Sequence, residues 1–178
     1  MPDTPTQREW VLAALSAHER SLLRFAATLV GPDRARDVVQ DTFLELCKAD
    51  RAAIEGRLVP WLFTVARNRA LSIRRVERRL LGEEEAHAME SPDDGPHGAL
   101  ETKEAGRAAA ALVEGLPPKH REAVLLKFTG GLSYKEIAEV TGLTPGHVGV
   151  ILHEAMTRIR QAMKRHESSP LVAGRRSA

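Results

Sequence analysis

Apolar residues return every three or four positions along most of the chain and almost nowhere alternate strictly, which predicts helices and no sheet. Trp10, Ala14, Leu15, Leu22, Leu23, Ala26, Ala27 and Val30 trace one or two amphipathic helices that stop at Gly31-Pro32. A further helix starts near Asp33 and carries Val38, Val39, Thr42, Phe43, Leu46 and Cys47 on one side. Pro60 fits the first turn of a long helix bearing Trp61, Leu62, Val65, Ala66, Ala70, Leu71 and Ile73. From Gly82 the periodicity gives way to Glu83-Glu84-Glu85, Ser91-Pro92-Asp93-Asp94-Gly95-Pro96 and Gly98, a composition that predicts a flexible acidic linker. Helical spacing resumes at Ala105 and runs, with interruptions, to about His166. The pattern therefore predicts an all-α protein of two small helical domains, 1–81 and 104–167, joined by a flexible acidic linker over 82–103 and followed by a disordered tail over 168–178.

The sharpest local signal lies in the second domain. Pro117-Pro118 opens a helix that Gly130-Gly131 closes. Ser133 and Glu136 then have the spacing of a capping box, in which hydroxyl and carboxylate satisfy reciprocal backbone amides at a helix start. Ile137, Ala138 and Val140 face inward, Gly142 supplies a tight turn with Leu143 packed beneath it, Thr144 caps the next helix, and Pro145 occupies its first turn. Val148, Leu152, Ala155, Ile159 and Ala162 form that helix's buried stripe. A short helix, a glycine turn and an amphipathic helix form the helix-turn-helix that enters the DNA major groove. A plain helical hairpin is the alternative.

Charge distribution strengthens the DNA reading. The net charge is only +2, but residues 1–81 hold 14 basic and 10 acidic side chains, residues 82–104 hold one and eight, and residues 105–178 hold 11 and six. Two basic blocks thus flank an acidic one. In the first, Arg67, Arg69, Arg74, Arg75, Arg78 and Arg79 crowd a helix with Asn68, just after Trp61 and Phe63. Guanidinium groups pair with phosphates, and an amide reads a base edge, a combination suited to single-stranded or melted DNA. A solvated basic face explains the same arginines, and a core position explains Trp61.

The remaining composition excludes several classes. Cys47 is the single cysteine, which rules out an intramolecular disulfide and predicts an inert, partly buried thiol rather than a redox sensor. The seven histidines are scattered, with no HExxH pattern, so no metal site is expected. No nucleophile, base and orienting group assemble, so neither catalysis nor a cofactor is expected. No apolar run approaches the roughly 20 residues that span a bilayer, and Met1 to Arg8 is polar, which predicts a cytoplasmic protein without membrane insertion.

The order of motifs is itself informative: Asp37-Val38-Val39-Gln40-Asp41-Thr42-Phe43-Leu44, then Trp61-Leu62-Phe63-Thr64-Val65-Ala66-Arg67-Asn68, then Leu116-Pro117 and Gly131-Leu132-Ser133-Tyr134-Lys135-Glu136-Ile137-Ala138. From about residue 20 to 165 the chain resembles the extracytoplasmic-function sigma factors. That resemblance implies a protein that binds core RNA polymerase and directs it to promoters, monomeric when free. It assigns Asp37, Gln40, Asp41 and Phe43 to docking on the coiled coil of the polymerase β′ subunit. Asn68 falls where the family lines a pocket for a flipped-out base of the −10 element, beside Trp61, with Arg67, Arg69, Arg74 and Arg75 holding the strand. The helix-turn-helix then meets the −35 element as duplex, through Thr144, His147, Val150, His153 and Arg158, with Lys127 and Tyr134 at phosphates. In such proteins the acidic linker threads toward the RNA exit path.

Two features depart from the family pattern. Arg34 and Arg36 stand where acidic residues often precede the Val-Gln motif, which implies weaker unaided docking, or help from a partner or a modification. Gly149, Val150 and Ile151, with Glu154, replace the basic and hydroxyl run of the usual recognition helix. Val150 then meets thymine methyls, or Val150 and Ile151 form a face that an anti-sigma partner covers. The competing reading from another class is a freestanding helix-turn-helix regulator that binds duplex operators as a dimer; the whole first block is superfluous to it.

Overall fold

A computed structural model describes residues 6–86 and 103–167, and every regular element among them is helical. In order these are α1 (Gln7–Lys48), α2 (Arg51–Ile54), a 3-10 turn (Glu55–Arg57), α3 (Leu58–Ala86), α4 (Lys103–Glu114), α5 (Pro118–Phe128), α6 (Tyr134–Thr141) and α7 (Pro145–Glu167). The tail expected over 168–178, and most of the expected linker, lie outside the described residues.

Helix α1 begins with a capping box: the Glu9 amide donates to Thr6 Oγ1 at 3.3 Å, and the Thr6 amide donates to Glu9 Oε2 at 2.7 Å. It is interrupted at Gly31, whose φ of 78° only glycine adopts cheaply, followed by Pro32, which lacks a donor. The break divides α1 into two limbs that run antiparallel. The Gln7 side-chain amide reaches the carbonyls of Leu46 and Ala49 at the far end, at 3.4 and 3.3 Å. Leu22, Phe25, Val38 and Leu46 from the limbs bury against Leu62, Phe63, Ala66 and Ala70 of α3. Phe63 stands edge-on to Phe25, with ring centroids 5.2 Å apart and planes at 77°. Inside this core the Thr42 hydroxyl donates to the Val38 carbonyl at 2.7 Å, so its burial leaves no polar group unpaired.

Two expectations need correction. The helical pattern continues past Gly82 to Ala86, because one glycine costs only about 1 kcal/mol in a helix and Glu83, Glu84, Glu85 and Ala86 are good helix formers. Cys47 is exposed, not partly buried. It lies about 100° around the helix from the buried Leu46, at the open surface beside Phe43 and Leu44.

In the second domain α5, α6 and α7 bury Leu126, Leu132, Ile137, Val148 and Ala155. Arg121 is also buried and closes the end of α4 by donating to the carbonyls of Glu114 and, at 3.2 Å, Leu116. Burial lowers its guanidinium below the ordinary arginine value, and the Glu114 charge opposes that shift. The capping box of α6 forms as expected: the Ser133 amide donates to Glu136 Oε2 at 2.7 Å and the Glu136 amide to Ser133 Oγ at 3.3 Å. Hydrogen bonds from Ser133 hold the Glu136 carboxyl below its ordinary value. A depressed folded-state value contributes stability above the ordinary carboxylate value that is lost as pH falls through the folded one. Ser133→Ala is expected to cost about 1 kcal/mol at neutral pH, with a shallower loss in acid, as measured by urea unfolding at two pH values.

The two domains pack directly on each other. Gly130, in the turn before α6, lies against Phe63, so that a Cβ placed there would be 3.0 Å from Phe63 Cε2. Arg67 on α3 pairs with Glu122 on α5 at 2.6 Å, and Arg57 with Glu139 on α6 at 3.6 Å.

Candidate nucleic-acid interface

The turn between α6 and α7 follows from local chemistry. Gly142 takes a left-handed φ of 74°, and the Thr144 hydroxyl accepts from the His147 amide at 3.3 Å as an N-cap. Helix α7 then turns Val148, Leu152 and Ala155 inward and Thr144, His147, Val150, His153 and Arg158 outward. Val150 is 54% exposed whereas Ile151 is only 5% exposed. Ile151 therefore belongs to the core, and the two-residue apolar face considered for a protein partner is not formed, since adjacent residues on a helix diverge by about 100°.

Tyr134 lies across the start of α7, where its Cε2 would be 3.6 Å from a Cβ at Gly149. Gly149 thus lets the ring rest close to the helix backbone. Lys127 Nζ donates to the Leu132 carbonyl at 3.1 Å and sits 5.4 Å from the Tyr134 ring centroid. These contacts place Lys127 and Tyr134 beside the outward face of α7. Glu154, the acidic intruder on that helix, is paired with His120 Nε2 at 2.9 Å, and that hydrogen bond lowers its carboxyl below the ordinary value.

On α3, Leu62, Phe63, Ala66 and Ala70 are buried, and Asn68, Arg69 and Arg75 are exposed on the other side. Arg74 is half-buried. Trp61 is half-buried and packs against the core, which matches the core alternative for this residue. Two arginines are engaged within the chain: Arg67 with Glu122, and Arg69 with Asp41 at 2.5 Å.

The second limb of α1 exposes Asp37 and Gln40. Phe43 is buried instead and walls a groove of about 550 Å³ between the limbs, with Leu15, Leu23, Val39, Leu44 and Gln40. Asp41 is half-buried beside Arg69. Arg34 pairs with Glu77 on α3 at 3.1 Å, so its charge is partly answered inside the molecule, while Arg36 lines the groove.

A basic helix with an exposed amide and a helix-turn-helix now stand in one chain, and their sequences match known families region by region. Residues 14–80 match the sigma-70 region 2 family and residues 107–159 match sigma-70, region 4. An ECF RNA polymerase sigma factor, EcfG of Rhodopseudomonas palustris, is 33% identical over 161 residues, covering 89% of this chain and 86% of that protein. This chain belongs to the ECF RNA polymerase sigma factors. As a sigma factor it directs promoter-specific transcription.

Solved structures share the architecture. The sigma factor RpoE of Bartonella quintana, crystallised with the anti-sigma factor NepR, superposes with a TM-score of 0.63 at 25% identity, covering 85% of this chain and 95% of that one. CnrH, solved with the cytosolic domain of CnrY, gives 0.58 at 21% identity over 90% of each chain. In this sigma factor the region 2 match contains most of the α1 limbs and the arginines of α3, and the region 4 match contains α5, α6 and most of α7. No group of three or more His, Cys, Asp or Glu among the described residues is placed to hold a metal, and no helix among them is long and apolar enough to cross a membrane.

Glu122 and His120 carry no signal in the sequence, where Leu15 and Leu23 read only as apolar positions of the first helix and not as the wall of a groove. Glu122 carries no local signal, because its partner Arg67 lies 55 positions away.

Proposed function

We propose that the first domain docks on the β′ coiled coil of core RNA polymerase through Asp37, Gln40 and Asp41, with Phe43 shaping the adjoining groove. Helix α3 then reads the −10 element as a separated strand. Asn68 receives an extruded base, whose cost of roughly a few kcal/mol is offset by contacts in the pocket, while Arg67, Arg69, Arg74 and Arg75 hold phosphates and Trp61 braces the helix. The second domain, from α4 onward, meets the −35 duplex with Thr144, His147, Val150, His153 and Arg158, and Lys127 and Tyr134 approach the phosphates. The chain acts in the cytoplasm, as a monomer until it joins polymerase, by binding alone and with no catalytic step of its own. The acidic segment between the domains fits the positively charged path that later holds RNA. The likeness to a sigma factor crystallised with an anti-sigma factor supports an anti-sigma partner here as well.

The observation that carries this reading is the two-sidedness of α3: apolar residues inward, and Asn68 with Arg69 and Arg75 outward. The experiment is reconstitution. Purified chain added to core polymerase is expected to start transcripts at discrete genomic sites with shared upstream elements; failure to bind core overturns the proposal. Arg36→Glu is expected to tighten core binding about threefold at low salt, an advantage that shrinks as salt rises. The same change at Arg34 loses the Glu77 contact and is expected to give no such gain.

A further inference from the structure

Glu154 has the wrong charge for its place on α7. It stands four residues from both Val150 and Arg158 and seven from His147, so it shares a row of the helix with three side chains assigned to the −35 duplex. Its side chain is 53% exposed. The hydrogen bond from His120 holds its carboxyl below the ordinary value, against the effect of burial and with the help of charge on His120, Arg158 and His147. The group is therefore ionised at neutral pH, and a free carboxylate in that row would face phosphates of like charge.

The carboxylate is not free. His120 reaches it from the first turn of α5, and its Nε2 donates to Glu154 Oε2 at 2.9 Å. The ring has little room to turn, because its side chain is only 15% exposed. Its Nδ1 is enclosed and meets no hydrogen-bond partner. A proton on Nδ1 would have no acceptor, which assigns the ring proton to Nε2 and makes the ring a donor aimed at Glu154. The first turn of α5 holds no acidic side chain of its own, so the positive end of that helix also favours a carboxylate brought from α7.

We infer that His120 is a positioning residue for promoter binding: it ties the Glu154 carboxylate back to α5 and keeps a negative charge out of the path of the −35 phosphates beside Val150 and Arg158. The role of His120 rests on reading α7 as the −35-binding helix. The tie explains how that helix carries an acidic residue in its outward row, since the charge is kept but its direction is fixed.

The test uses holoenzyme reconstituted from core polymerase and the full chain. Its affinity for a duplex covering the upstream half of a promoter, mapped by transcript starts, is measured by fluorescence anisotropy at low and high salt. His120→Phe keeps a ring in the enclosure and removes the donor together with the unpaired Nδ1. It is expected to weaken binding about fivefold at low salt, the repulsion of like charges ~4 Å apart in water, and much less at high salt. Glu154→Asp shortens the arm without touching the enclosed ring, and is expected to weaken binding in the same salt-dependent way. Adding Glu154→Gln to His120→Phe is expected to restore affinity, whereas Glu154→Gln alone changes it by less than about twofold. His120→Gln, which supplies an amide donor from the same position, is expected to keep wild-type affinity. Circular dichroism checks that each variant keeps its helix content. A loss in His120→Phe that Glu154→Gln does not relieve shows that His120 acts through packing and overturns the inference, as does no loss at all. Arg158→Ala is the reference for α7 itself: weaker binding there, with no effect of His120→Phe, strikes the inference alone, and no effect of either strikes the −35 reading of α7 as well.

Discussion

Phe63→Ala is expected to lower the unfolding free energy by about 3–5 kcal/mol, the cost of emptying a fully enclosed aromatic site. The ring has no exposed surface, meets Phe25 edge-on at 5.2 Å and abuts Gly130 of the other domain. Removing it therefore opens a cavity between two domains, and neither can collapse into it without disturbing the other. Urea unfolding followed by fluorescence of Trp10 and Trp61, both in the first domain, measures the loss. A change under about 1 kcal/mol would mean that the seam repacks freely, contrary to dense cores in general. Gly130→Ala attacks the same seam by crowding. Its Cβ would come within 2.7 Å of Leu132 Cδ1 and 2.8 Å of the Leu126 carbonyl oxygen, and the backbone atom has little room to move.

Asn68→Ala is expected to reduce promoter opening about 10- to 100-fold, equivalent to the roughly 1–3 kcal/mol of one good bidentate base contact, while core association stays unchanged. An amide offers both a donor and an acceptor to a base edge, and alanine offers neither. Asn68 is exposed on α3 and does not line the groove beside Gln40, so the loss should be confined to DNA. Permanganate reactivity of unpaired thymines at a promoter found by reconstitution measures opening, and co-purification measures core binding. Unchanged opening would remove Asn68 from the reading site; equal loss of both would make it structural.

Much of this was legible before any coordinates. The break at Gly31-Pro32, the capping box at Ser133 and Glu136, the left-handed turn at Gly142 and the cap at Thr144 are local features, written in residues a few positions apart. Periodicity also placed Val148, Leu152 and Ala155 of the α7 stripe correctly, whereas Ile159 and Ala162 are only half-buried. It failed to separate Val150 from Ile151, because the glycine and valines beside them blur the apolar boundary that helical phase alone must draw. It ends α3 too early for a related reason: Gly82 and the acidic run after it carry no apolar phase, although the glutamates themselves favour helix.

The partners of the functional arginines were not legible at all. Arg67, Arg69 and Arg34 look alike in sequence, yet they meet Glu122, Asp41 and Glu77 respectively. The sequence by itself determined the helices, their caps and turns, the inward faces and the motif order that marks the family, since each depends on side chains within one or two helical turns. Only the tertiary structure decided that Phe43 walls a groove, that Phe63 is shared by two domains and that Glu122 covers Arg67. Those contacts join residues tens of positions apart, and which distant charge or ring a side chain meets depends on how whole helices pack.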